Sequence, residues 1–158
     1  MTIAKGDSIP ELTLKTNSAE GPKSITTSEI FAGKRVVLFA VPGAFTPGCS
    51  NTHMPGFVVN ADKILAKGVD TIACTAVNDA FVMGAWQKDQ NADKILMLAD
   101  GNAELAEALG LEKDATAGGM GVRSQRYALI ANDGVVEFIG VDAKGIENSS
   151  AETILQQL

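Results

Sequence analysis

Arg35-Val36-Val37-Leu38-Phe39-Ala40-Val41-Pro42-Gly43-Ala44-Phe45-Thr46-Pro47-Gly48-Cys49 reads as an apolar strand that ends in Pro and Gly turn residues and delivers a thiol to a helix start. A helix N-terminus carries roughly half a positive charge and several unpaired backbone N–H groups, and both favour thiolate over thiol. A reactive cysteine is therefore the first expectation. Whether it does redox or other nucleophilic chemistry depends on its neighbours.

Outward from that segment, further strands are predicted over Val69 to Val77, Lys94 to Ala99, Arg126 to Ala131 and Val135 to Val141. The first three strands are almost continuously apolar and alternate with helical patterns, which suits a sheet buried on both faces with right-handed parallel crossovers. The last two are separated only by Asn132-Asp133-Gly134, a turn signal that predicts an antiparallel hairpin. Asn51 to Lys67 reads as a helix with a kink at Pro55-Gly56, because proline removes a backbone donor and crowds the preceding turn. Asp79 is an N-cap for a helix through Gln90, Gly101 or Asn102 opens another that ends at Gly110, and Ser149 and Ser150 precede a terminal helix from Ala151 to Leu158. Asp114 to Val122 reads as a loop. The expected fold is α/β: a thioredoxin-like plan with a central mixed β-sheet flanked by helices, in one domain spanning residues 1–158.

Composition narrows the function. The chain has 13 Lys and Arg against 19 Asp and Glu, a net charge of −6, which argues against a nucleic-acid partner because phosphate binding needs clustered cations. No apolar run approaches a membrane span, and Met1-Thr2-Ile3-Ala4-Lys5-Gly6-Asp7 lacks the apolar stretch of a secretion signal, so no membrane partner and a cytoplasmic location are expected. Two cysteines and a single histidine, His53, are too few for a disulfide scaffold or a structural zinc set, and no acidic cluster has EF-hand spacing. No cofactor and no metal are expected.

The residues around Cys49 carry the chemistry. Thr46 stands three residues before it, where a turn brings its hydroxyl close to the sulfur, able to donate to a thiolate or accept from a bound hydroxyl; the alternative is a plain helix cap. Pro42 is either punctuation of the strand-to-helix loop or a shield of the sulfur from water. A guanidinium beside Cys49 would favour thiolate and hold an oxygen substrate, and the three arginines are Arg35, Arg123 and Arg126. Arg126 immediately precedes the apolar run Tyr127-Ala128-Leu129-Ile130 and so sits on a rigid strand, whereas Arg123 falls in the loop. His53, four residues after Cys49, allows a Cys-His dyad as rival chemistry, though a base one turn along the same helix has poor directional access; a supporting role is the better reading. Cys74, inside Thr71-Ile72-Ala73-Cys74-Thr75-Ala76-Val77, reads as a buried core thiol.

The segment from Val41 to Phe57, with Pro42-x-x-x-Thr46-x-x-Cys49, closely resembles the active-site segment of peroxiredoxins, and more narrowly the type II, atypical subfamily. The likeness continues through Val77-Asn78-Asp79-Ala80-Phe81-Val82 and Trp86, Leu98-Ala99-Asp100-Gly101 and Arg123-Ser124-Gln125-Arg126-Tyr127, and so covers essentially the whole chain. It implies that Cys49 is the peroxidatic cysteine, Thr46 orients the peroxide, Pro42 shields the pocket and Arg126 activates thiolate and substrate. It also implies a thiol-dependent peroxidase acting on hydrogen peroxide and organic hydroperoxides through a Cys49 sulfenic acid, in a homodimer. Members with a C-terminal resolving cysteine carry it near the region that here reads Gly145-Ile146-Glu147-Asn148-Ser149-Ser150, which has none. Either Cys74 resolves the sulfenic acid or an external thiol does. Burial of Cys74 favours the external route, with glutathione and glutaredoxin ahead of thioredoxin. The competing class is a non-catalytic redox sensor or binding protein on a thioredoxin-like fold.

Overall fold

A computed structural model describes residues 2–158. Seven strands form one sheet in the order β2 (Gly21–Thr26), β1 (Thr13–Ser18), β5 (Ile95–Ala99), β4 (Thr71–Ala76), β3 (Arg35–Ala40), β8 (Arg126–Asn132), β9 (Val135–Asp142). β3 pairs in parallel with β4, and β4 with β5, while β8 runs antiparallel to β3 and forms a hairpin with β9 across a two-residue turn at Asp133-Gly134. The mixed sheet is the thioredoxin-like arrangement expected from the alternation of apolar runs. β6 (Glu112–Asp114) and β7 (Val122–Ser124) make a separate small hairpin, so most of the expected loop at 114–122 is the tip of two short strands, and Arg123 lies on β7.

Period-two alternation splits β3 between two cores. Val37, Phe39 and Cys74 face a layer built by α2 (Met54–Ala66), α3 (Ala80–Asp89) and α5 (Ala151–Gln157), with Phe57, Ile64, Met83, Trp86 and Ile154 buried there. Val36, Leu38 and Ala40 face the other side, where α1 (Thr27–Phe31) and α4 (Glu104–Ala108) supply Phe31 and Leu105. β3 is covered on both faces, which is why it reads as a continuous apolar run.

One hairpin has no counterpart in the sequence reading, and two local expectations change. The hairpin β1–β2 was not visible in the sequence because Thr13 to Thr26 is mostly polar and mostly solvent-facing, as suits the sheet edge. α4 is preceded by Ala103 in the left-handed region, φ 59°, and is capped by Asp100, whose two carboxylate oxygens accept from Leu105 and Ala106 N–H, instead of by Gly101 or Asn102. The irregularity near Pro55 is not a mid-helix kink. Pro55 occupies the first turn of α2, and the preceding turn, Cys49–His53, is a π turn in which Met54 N–H donates to Cys49 C=O, five residues back. Proline has no N–H for the carbonyl four residues earlier and its ring crowds that carbonyl, so the turn widens instead of the helix bending.

Candidate active site

The site forms at the C-terminal ends of the adjacent parallel strands β3 and β4, where an open α/β sheet leaves a crevice. After β3 the chain runs through Pro42 and Gly43, reverses at Phe45, whose φ of 63° is left-handed, and enters the helix at residue 47. Asn78, just beyond β4, accepts from Ala44 N–H through Oδ1 at 3.0 Å and fixes this loop to the neighbouring strand. Gly43 sits in close approach: a Cβ there would lie 3.1 Å from Thr46 Cγ2 and 3.2 Å from Arg123 Nη1, so both side chains would have to give by a few tenths of an ångström. Arg123 in turn donates to the carbonyls of Met120, at 2.9 Å, and Pro42, at 3.5 Å, and so clamps the outer wall of the loop.

Cys49 lies in the first turn of the helix and is 1% exposed. Arg126, the first residue of β8, donates from Nη2 to Cys49 Sγ at 3.3 Å and from Nη1 to His53 Nδ1 at 2.8 Å. Arginine never accepts a hydrogen bond, so Nδ1 of His53 must carry the lone pair and the ring proton sits on Nε2. That proton is donated to Ser149 C=O at 2.8 Å. Burial lowers the His53 pKa to about 4, reinforced by the Arg126 charge and opposed by the Ser149 carbonyl, so the ring is neutral at ordinary pH. Neutrality is what lets it accept from Arg126.

Ser149 is itself held. Its N–H and hydroxyl both donate to Asp142 Oδ2, at 2.9 and 2.7 Å, and Asp142 also accepts from Glu147 and Asn148 N–H. Burial opposes ionisation of Asp142, but the hydrogen bonds from Ser149, Asn148 and Glu147 together outweigh it and hold the carboxyl below the usual carboxylate range. Gly140 makes this loop possible, since a Cβ there would come within 2.1 Å of Asn148 O. A chain of contacts thus runs from Asp142 through Ser149 and His53 to Arg126 and the sulfur, orienting a guanidinium that would otherwise have rotamer freedom.

Cys49 and Arg126 are brought into contact as expected. Pro42 is half-buried and, with Gly48 and Arg126, lines a cleft next to the Cys49 turn. Thr46 is half-buried; its hydroxyl donates to Gly43 C=O at 2.7 Å and its own carbonyl accepts from Ser50 N–H at 2.9 Å, so it opens the helix with its backbone while its hydroxyl braces the loop. The Cys-His dyad is excluded, because both ring nitrogens of His53 are engaged elsewhere. Cys74 is fully buried at mid-strand between Phe39 and Met97, and burial pushes its thiol well above the usual range. Two contributions escaped the sequence: Ser149, visible only as a helix-cap neighbour, acts through its backbone carbonyl, and Ser50 accepts from the Trp86 indole N–H at 3.0 Å, tying the reactive turn to α3. No short motif signals either contact. Among the described residues no His, Cys, Asp and Glu side chains gather into a metal-holding group.

Residues 4–155 match the family described as Redoxin. The chain is 52% identical to Peroxiredoxin-2E-2, chloroplastic, of Oryza sativa subsp. japonica, over 99% of this chain and 73% of that protein. It is 38% identical to the hybrid peroxiredoxin hyPrx5 of Haemophilus influenzae, over 100% of this chain and 67% of that one. Among solved structures, reduced Prx3 from Vibrio vulnificus in complex with hydrogen peroxide superposes with a TM-score of 0.95 at 56% identity, covering 98% of both chains.

Proposed function

The chain belongs to the peroxiredoxins, thiol-dependent peroxidases, and from that premise we propose that it reduces hydrogen peroxide and organic hydroperoxides through a Cys49 sulfenic acid, which an external thiol then reduces. The contact that carries the reading is the Arg126 guanidinium at 3.3 Å from Cys49 Sγ, held from behind by His53. A fixed cation favours thiolate and lies where charge develops as the peroxide bond breaks.

In the proposed step the Cys49 thiolate attacks one oxygen of ROOH in line with the O–O bond. The S–O bond forms as O–O breaks, sulfur is oxidised by two electrons, and RO⁻ takes a proton to leave as ROH or water. Arg126 stabilises the thiolate and the peroxide oxygens, Thr46 orients the peroxide through its hydroxyl, and Pro42 screens the sulfur from bulk water. The Thr46 hydroxyl donates its proton to Gly43 C=O, which leaves its lone pairs to accept from the peroxide O–H. No cofactor enters the cycle.

For resolution, glutathione with glutaredoxin is the proposed donor, ahead of thioredoxin. Two features support an outside thiol: the chain has no cysteine besides Cys49 and Cys74, and Cys74 lies inside the sheet. The working form we propose is a homodimer, supported by Phe45, in the loop before Cys49, and Phe81, on α3, standing 52% and 73% exposed, and the compartment a reducing cytoplasm that keeps such a thiol pool available. No described helix is long and apolar enough to cross a membrane.

Stopped-flow mixing of the reduced protein with hydrogen peroxide and with an alkyl hydroperoxide tests the reading. Oxidation of Cys49 is expected to run orders of magnitude faster than that of free cysteine. A rate equal to that of the free thiol defeats the peroxidase and favours the sensor class. Steady-state turnover with glutathione and glutaredoxin beside thioredoxin and its reductase ranks the donors.

A further inference from the structure

A cleft of about 420 Å³ is lined by Gly48 and Arg126, the chain neighbour and the hydrogen-bond partner of Cys49, and falls within the size range of about 300 to 1,000 Å³ that holds small ligands. Its inner wall is Pro42, Gly48 and Arg126, the surroundings of the sulfur; its outer wall carries Glu112 and Lys113 from β6 and Lys144 from the loop after β9. Lys144 directly precedes Gly145 and Ile146, which also line the cleft, so the region where a resolving cysteine stands in other members is here a wall of the opening. Gly145 and Ile146 bring no thiol to this cleft, and charged side chains stand at its edge.

The charges have a pattern. Of the two carboxylates that line the cleft, Asp142 is saturated by the N–H groups of Glu147, Asn148 and Ser149 and by the Ser149 hydroxyl. Among the described residues neither Lys113, Lys144 nor Glu112 is engaged in an ion pair. All three are exposed. Two free cations and one free anion edge a cleft whose inner wall includes Arg126, the partner of the Cys49 sulfur, and complement a ligand with two carboxylates, one ammonium and a central thiol. That is the charge distribution of the tripeptide γ-glutamyl-cysteinyl-glycine, glutathione. An alkyl hydroperoxide, being uncharged, has no use for it.

We propose that this cleft is the binding site for the reducing thiol, glutathione, with Lys113 and Lys144 receiving its two carboxylates and Glu112 its ammonium, so that the cysteinyl sulfur points at the oxidised Cys49. The proposal rests on the thiol-peroxidase reading for its chemistry but not for its binding. In the step it serves, Cys49–SOH and glutathione form the Cys49–S–S–glutathione mixed disulfide and release water. A second glutathione, or glutaredoxin, then attacks the glutathione sulfur and returns Cys49 as the thiol. Across the cycle ROOH and two glutathiones become ROH, water and glutathione disulfide.

Two measurements decide it. In the first, the peroxide-oxidised protein is reduced in a stopped-flow cell by glutathione or by uncharged β-mercaptoethanol, for wild type and for Lys113→Glu/Lys144→Glu. The ratio of the glutathione to the β-mercaptoethanol rate constant is expected to fall at least tenfold in the variant, and in wild type to fall with rising salt. The ratio also separates a lost binding site from a damaged fold, which slows both thiols. In the second, unreactive S-methylglutathione is titrated into the reduced wild-type protein and amide shifts are followed by NMR, with perturbation expected at residues 112–113 and 143–146. An unchanged ratio, or shifts located elsewhere, overturns the proposal. If peroxide oxidises Cys49 no faster than free cysteine, the peroxidase reading fails instead, and the titration still decides the cleft.

Discussion

Cys49 and Cys74 line the same core, each 1% exposed or less, yet their surroundings oppose each other. Cys74 sits at mid-strand in β4 among apolar side chains, and burial with no compensating donor drives its thiol up and out of reach of chemistry. Cys49 is just as hidden from solvent but lies in the first turn of a helix, with the Arg126 guanidinium on its sulfur and a cleft lined by Arg126 and the preceding Gly48. Burial therefore does not separate an inert from a reactive thiol. What distinguishes the two here is the fixed positive charge of Arg126 on one sulfur and not the other.

The largest expected break in that comparison is at Cys49 itself. Cys49→Ser should lower peroxide consumption by on the order of 10³-fold or more, whereas Cys74→Ala should change it by less than about twofold, both read by stopped-flow peroxide turnover. Substantial loss in Cys74→Ala would mean that Cys74 takes part after all. Next in size, Arg126→Ala makes the surroundings of Cys49 resemble those of Cys74. Peroxide oxidation should slow by about 10² to 10³, the usual cost of a lost charge-stabilising donor, and alkylation of Cys49 by iodoacetamide should slow with it. An unchanged alkylation rate would mean that Arg126 acts on the peroxide and not on the sulfur.

A third prediction concerns the residue that aims Arg126. Unfolded His53 takes up a proton as pH falls through about 6.5, but folded His53 resists until about 4. Its contribution is complete above 6.5 and drains away as pH falls from there to about 4, a loss of roughly 3 kcal/mol. Urea denaturation of wild type across that interval should show the slope, and His53→Gln should flatten it. Because glutamine keeps one acceptor for Arg126 and one donor for Ser149, His53→Gln should also retain more peroxidase activity than His53→Phe. Equal activity in the two would reduce His53 to packing against Phe39 and Phe57, whose rings surround it. The smallest effect belongs to Ser50→Ala, which leaves the buried Trp86 N–H without its partner and should cost about 1 to 2 kcal/mol in denaturant titrations.

Legibility followed the range of the interactions. β3, β4 and β5 were readable to within about two residues because a strand covered on both faces must be apolar throughout, and Asp79 announced α3 because a cap acts over three residues. β1 and β2 were invisible because an edge hairpin of Thr, Lys, Ser and Asn has neither apolar continuity nor alternation. The π turn was half legible: Pro55 gave notice of a disturbance, but its form, one turn earlier and wider, depends on how the helix docks. Within the site, Cys49, Thr46 and Pro42 belong to one short segment, so their proximity is covalent. Arg126 is 77 residues away, and only the antiparallel pairing of β8 with β3 brings it beside the sulfur.

By itself the sequence determined where the thiol stands, at the junction of a buried strand and a helix, the family to which its neighbours belong, and the lack of a third cysteine. Those are matters of order along the chain. Only the tertiary structure showed how Arg126 is held on the sulfur, that His53 is a neutral acceptor hydrogen-bonded to Ser149, and that lysines edge the cleft beside Arg126. Charge acts through space over a few ångströms, and packing, not sequence separation, sets those distances.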